Sequence, residues 1–183
     1  MSKISQNIVE AIFEESLVKF LEREAMEIVE GVNERNNCGR WAFYLQEAAH
    51  QNGLTNYIAD PEYNRKQDGK IKTILDKRSK VVTIICDLVL HTRGIDISQD
   101  NLIAIEVKKY DRPEIEKIKD RQRLRALTKE SYDEVWMNEG ASPPEHVCGY
   151  RLGVFVELYR YKRICKIDIF QDGEFRKSYE RGF

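Results

Sequence analysis

The sequence predicts one α/β (α+β) domain with a central mixed β-sheet flanked by helices. Three observations lead there. Apolar residues recur at helical spacing through residues 4–51. Two β-branched, apolar runs at residues 81–91 and 102–108 have the character of central strands. A charged helical segment separates them from two more strand-like runs near the C-terminus. The order is helix, helix, three strands, helix, then two or three strands. A chain of 183 residues is long enough to bury one such core.

Each element has its own signal. Ile4, Ile8 and Ile12 are spaced by four, and Phe13, Leu17, Phe20 and Leu21 continue the stripe. They predict a helix over residues 4–30 that stops at Gly31. Asn33 is a suitable N-cap for a second helix to Gln51, with Trp41, Tyr44, Leu45 and Ala48 on its apolar face. Asn52-Gly53 ends it. Residues 56–64 look like a strand, with Pro61 marking a bend, bulge or edge. Residues 65–80 are highly charged around Asp68-Gly69 and predict a long hairpin connection or loop. Residues 81–91 and 102–108 are then the two buried strands, joined by a turn at Gly94. Pro113 stands at the start of a helix over residues 114–127, for which Ile115, Ile118, Leu124 and Leu127 supply an apolar stripe. Residues 131–148 are irregular. Two strands follow at residues 149–159 and 163–170, and Asp172-Gly173 turns into a short final segment.

Composition limits the function. There are 30 lysines and arginines against 31 aspartates and glutamates, so the net charge is -1. Any phosphate-binding surface must therefore come from local segregation of charge. The four cysteines, Cys38, Cys86, Cys148 and Cys165, form no C-x-x-C pair, and His50, His91 and His146 are not spaced to join them around zinc. Reduced thiols in a cytoplasmic protein are expected. No stretch has the length and apolarity of a membrane span. No glycine-rich phosphate loop is present, so nucleoside triphosphate chemistry has no support.

Two charged residues lie where an apolar strand is expected. Glu106 follows Leu-Ile-Ala-Ile, and Asp87 follows Val-Val-Thr-Ile-Ile-Cys. Burying a carboxylate costs several kcal/mol (roughly) unless something compensates it. Strand alternation puts Glu106 and Lys108 on one side of their strand. If the two strands are neighbours, Asp87 approaches Glu106, and a hard divalent cation would relieve their repulsion. Magnesium suits oxygen donors, manganese can substitute, and Lys108 would stand beside the metal-bound water. The plainer reading is a salt bridge at a strand end between Asp87 and Lys108. His91 shares the Asp87 side of its strand, and a hydrogen-bonded structural role is expected for it.

The pattern of Asp87 followed by Glu106-Val107-Lys108 resembles the PD-(D/E)XK nuclease superfamily, the restriction-endonuclease-like fold. Cys86 stands where the signature has proline. The likeness spans residues 33–158. It implies an N-terminal helical extension over residues 1–31 and a nuclease-like domain over residues 32–183. A further likeness is to a group of small, uncharacterised bacterial proteins of this fold. It rests on Glu34-Arg35, Arg40, Tyr44-Leu45, Glu62-Tyr63-Asn64-Arg65, Asp87 to His91, Arg93-Gly94, Glu106 to Lys109, Asp120, Leu124, Leu127-Thr128 and Gly149 to Gly153.

The resemblance implies a metal held by Asp87, Glu106 and the Val107 carbonyl, with Lys108 positioning water and Glu34 assisting. The helix dipole alone also favours a glutamate at position 34. Arg35, Tyr63, Arg65, Lys109 and Arg112 are candidate substrate contacts, beside plainer readings of packing for Tyr63 and ion pairing for Arg35. The basic stretch over residues 108–129 reads equally as a solvated helix face or a phosphate-contacting one. The implied activity is metal-dependent hydrolysis of nucleic acid, with DNA expected, and the resemblance suggests a homodimer in the manner of many nucleases of this fold. The alternative is a catalytically silent nuclease fold acting as a binding or regulatory module.

Overall fold

The computed structural model describes residues 4–63, 73–75, 81–83, 86–96, 98–129 and 149–183. Helix α1 (Gln6–Arg23) starts where the Ser5 hydroxyl accepts from the Ile8 N–H, and it buries Val9, Ile12, Phe13, Leu17, Phe20 and Leu21. The expected single helix over residues 4–30 is two helices. The backbone leaves helical geometry at Glu24 before α2 (Ala25–Glu30). Glu24 is buried and turned onto the next helix, where it accepts from the Tyr44 hydroxyl at 2.5 Å and pairs with Arg40 at 3.5 Å. Gly31 closes α2 at φ 84°, a conformation open to glycine at little cost.

Helix α3 (Glu34–Gln51) begins at Asn33, whose side chain accepts from the Asn36 N–H at 2.8 Å. Trp41 stacks on Phe20 with ring centroids 4.7 Å apart and donates to the Ser16 hydroxyl at 3.1 Å. This contact seals α1 to α3. Buried aromatic area of this kind supplies much of a core's stabilisation.

The main sheet has the order β1-β4-β5-β6-β7-β8. Its strands are β1 (Ile58–Pro61), β4 (Leu88–His91), β5 (Asn101–Lys109), β6 (Leu152–Tyr159), β7 (Ile164–Gln171) and β8 (Glu174–Gly182). Strands β2 (Thr73–Leu75) and β3 (Val81–Thr83) pair separately as an antiparallel ladder. Within the main sheet β5 and β6 are parallel, with helix α4 (Glu114–Leu127) between them in sequence; the other neighbours are antiparallel. Pro61 ends an edge strand, where a missing N–H does least harm. The final segment is longer than expected: β8 is a nine-residue edge strand.

Leu88, Leu90, Ile103, Ile105, Val107, Val154 and Val156 pack on one sheet face with residues of α1 and α3. Val89, Ala104, Phe155 and Phe170 pack on the other with Leu124 and Leu127 of α4. Glu106 and Lys108 continue the Ala104 side by alternation.

Two expectations are corrected. Residues 81–91 are not one strand: β3 and β4 lie in different sheets, and Cys86 and Asp87 precede β4. The buried face of α4 is Lys117, Asp120, Leu124 and Leu127, while Ile115 and Ile118 are 59% and 41% exposed. The sheet under the first turns of α4 carries Glu106, Lys108, Glu157 and Asp168. Buried charges need charged partners more than isoleucine needs cover.

Candidate active site

The site forms where β5 outruns β4. Their register ends at Leu88 opposite Ile105, so β4 offers no backbone partner to Val107. The Asp87 carboxylate takes that place and accepts from the Val107 N–H at 2.9 Å. The Asp87 carbonyl accepts from the Glu62 N–H at 3.1 Å, which extends the β1 side of the same edge. Asp87 is thus fixed at the mouth of the strand pair by its side chain on β5 and by its carbonyl on the β1 side.

Lys108 completes this corner. Its Nζ lies 3.3 Å from Asp87 Oδ2, and at the same distance from the Val107 carbonyl oxygen. The salt bridge expected by the plainer reading is therefore present. A second carboxylate also holds Lys108: Asp120 Oδ2, from α4, is 3.3 Å away. Burial works against the Lys108 ammonium, yet Asp87, Asp120 and Glu106 outweigh it and hold its pKa above the usual lysine value.

Glu106 is fully buried. One carboxylate oxygen accepts from Arg123 Nη1, which also lies 3.2 Å from Asp120 Oδ1. The other oxygen, Oε2, has no hydrogen-bond partner among the described residues. Burial, then the charge of Asp87, pushes the Glu106 carboxyl well above its ordinary pKa against the pull of Arg123. Burial likewise raises Asp120, opposed by Lys108 and Arg123. The cluster therefore sets three carboxylates against two cations in a poorly solvated pocket.

The structure brings Asp87, Glu106 and Lys108 together, and Glu34 reaches them only indirectly. Glu34 Oε1 accepts from the backbone N–H of Lys109 at 3.0 Å, so it ties α3 to the end of β5. Cys38, one turn further along α3, is buried. After burial itself, Asp87 and Glu106 raise its thiol pKa, and Glu34 adds a smaller push. Arg35 pairs with Glu62 at 3.2 Å. The Tyr63 ring packs edge-on against His91, 4.4 Å between centroids, which favours its packing role. His91 is itself buried and bonded to Asp60 at 3.0 Å. Lys109 Nζ donates to the Gly31 carbonyl at 2.8 Å, and Arg112 pairs with Glu116 at 2.9 Å. Arg65 lies outside the described residues.

Neither reading of the basic stretch covers all its members. Lys117 is buried against Glu157 at 2.6 Å, Arg121 holds Asp168 at 2.8 Å, and Arg123 holds Glu106. These three cations turn inward onto the sheet. Sequence reasoning gave no role to Asp120, and placed Arg123 only within the basic stretch. The usable signal was spacing: Lys117, Asp120, Leu124 and Leu127 form one helical stripe.

The donors that the resemblance assigns to a divalent cation are Asp87, Glu106 and the Val107 carbonyl, and Asp87 and that carbonyl here face Lys108 Nζ. The bare Oε2 of Glu106 fits such a role, because a buried carboxylate oxygen without a partner is costly. Among the described residues, no group of three or more His, Cys, Asp or Glu side chains is arranged to hold a metal ion. The described helices include none long and apolar enough to cross a membrane. Comparison with protein-family models, curated proteins and solved structures finds no match.

Proposed function

We propose that this chain is a magnesium-dependent phosphodiesterase acting on nucleic acid, with DNA as its expected substrate and manganese as a possible replacement ion. One observation carries the reading. A fully buried glutamate, one of whose oxygens has no partner among the described residues, sits beside a second carboxylate and a lysine at the open end of a strand pair. The order α3, β1, β4, β5, α4, β6 supports it, being the order expected of a restriction-endonuclease-like core once the β2–β3 ladder is set aside as an insertion.

Asp87, Glu106 and the Val107 carbonyl would hold the ion. The ion would supply an acidified water and offset charge on the phosphoryl group. The residues do the rest. Lys108 stays protonated, because Asp87, Asp120, Glu106 and Glu34 raise its pKa against the effect of burial. It therefore donates to the attacking water or a phosphate oxygen and does not act as a base. Arg123 fixes one oxygen of Glu106 and leaves the other for binding. Glu34 positions the β5 backbone through Lys109. Cutting both strands of a duplex would call for two copies acting together, which is the ground on which the resemblance suggests a homodimer.

The test is cleavage of plasmid, single-stranded DNA and RNA with magnesium or manganese. Metal-dependent cleavage should fall at least about a hundredfold in Glu106→Ala and in Lys108→Ala, the scale seen when one transition-state contact is removed. Variants that cut as well as the parent would place the chemistry elsewhere. A second reading, a silent nuclease fold that binds a partner, is favoured by the capture of Asp87 and Glu106 by Lys108 and Arg123. It expects no metal-dependent cleavage, and partner binding that survives Glu106→Gln.

A further inference from the structure

Strands β5 and β6 run parallel past the candidate site and end in a rim of cations and tyrosines. Tyr110 follows β5, and Tyr159 ends β6. Their rings stack with centroids 5.4 Å apart. Residues 159–163 read Tyr-Arg-Tyr-Lys-Arg, with three cations and no acid. Lys162 Nζ lies 5.6 Å from the centre of the Tyr159 ring. Arg160 covers one face of Tyr161 at 4.5 Å, yet Tyr161 remains 74% exposed.

Acids also face this rim. Glu116 holds Arg112, Glu157 bonds Tyr159, and Asp111 is exposed beside Tyr110. Among the described residues no carboxylate forms an ion pair with Lys162, and residues 159–163 themselves carry no acid. The Arg160 guanidinium also lies against Gly31, where a Cβ would collide with it. The Tyr161 hydroxyl accepts from Arg160 Nη2 at 2.6 Å, and the rest of its ring stays exposed. A ring so exposed adds little to folding, since a turn needs no aromatic side chain.

We propose that this rim is a docking platform for a single-stranded segment of nucleic acid leading to Lys108. The proposal rests on the nuclease reading for its direction and on the rim itself for its binding chemistry. Bases have π-faces that stack on tyrosine whatever their sequence, and lysine and arginine track the phosphates between them. Tyr110 lies two residues beyond Lys108, so a strand stacked on the rim has its backbone within a nucleotide or two of the site. Duplex DNA hides its base faces and would gain only the charge term.

The experiment is fluorescence anisotropy of labelled single-stranded DNA and RNA oligonucleotides with the full chain in chelator, over a range of salt. Binding should weaken as salt rises. Tyr161→Ala should weaken it about tenfold, within the span of one lost stacking contact. Tyr161→Phe should restore it. Lys162→Ala should lower the salt slope by about one charge. No binding by the parent chain would overturn the platform, as would equal binding by Tyr161→Ala. Displacement by polyglutamate at matched charge would also overturn it, because such a surface reads charge alone. Magnesium-dependent cleavage is scored separately. Tyr161-dependent binding without cleavage supports the platform and overturns the nuclease reading; cleavage with Tyr161-independent binding does the reverse.

Discussion

Glu106 sets the energetics of the site. Its carboxyl is fully buried, and its pKa stands well above the ordinary glutamate value because burial penalises the charge. The folded state therefore prefers the protonated form more than the unfolded chain does. Below the unfolded pKa, about 4.3, both states are protonated and the group is neutral for stability. As pH rises from there to the folded pKa, stability is lost, and the loss persists at higher pH. Glu106→Gln removes this titration. In chelator its urea midpoint should gain on that of the parent as pH rises from about 4 to about 8. Curves that stay parallel would show that Glu106 does not carry this cost. Saturating manganese should narrow the gap, since an ion that binds only the folded state stabilises it. Glu106 and Lys108 were readable from sequence because an acid and a cation interrupt an apolar run with strand alternation. Asp120 was marked only by its helical spacing with Leu124 and Leu127, and Arg123 not at all, because an isolated charge on a charged helix carries no mark of which way it faces.

At the scale of elements, α4 is the lever on the site. It carries Asp120 and Arg123, and it sits on β6 at Gly153. A Cβ at Gly153 would meet Thr128 Cγ2 at 2.8 Å and Phe170 Cβ at 3.3 Å. Gly153→Ala should therefore push α4 off the sheet and cost about 1–3 kcal/mol, as overpacking does. Thermal and urea unfolding would measure the loss. Metal-dependent cleavage should fall as well, because Arg123 would lose its hold on Glu106. Unchanged stability would mean that α4 is free to shift. Helix α3 was legible end to end, since Asn33, the apolar spacing and Gly53 all agree. The face of α4 was misread because Ile115 and Ile118 imitate a core stripe. The break at Glu24 was hidden for a similar reason. The apolar pattern runs on through it, and a tertiary contact to Tyr44 and Arg40 decides the geometry.

Across the whole molecule, one apolar layer anchors the sheet on α1 and α3, and the other layer changes character along its length. Under the C-terminal half of α4 it is apolar, with Val89, Ala104, Phe155 and Phe170. Along residues 117–123 of that helix it becomes an ionic layer, with Lys117 on Glu157, Arg121 on Asp168 and Arg123 on Glu106. Pattern reading anticipated the mixed sheet because runs of β-branched residues and one helix between strands limit the topologies. It had no means of pairing charges distant in sequence, such as Lys117 and Glu157. An ionic layer is weak as a source of stability and strong as a means of fixing geometry, which suits a site that must hold two carboxylates together. The direct test is calorimetric titration of manganese into the metal-free chain and into Glu106→Gln. One ion should bind per chain in the parent, with protons released, and binding should be lost in the variant while its circular dichroism is unchanged. No binding by the parent, or equal binding by both chains, would contradict the metal site at Asp87 and Glu106.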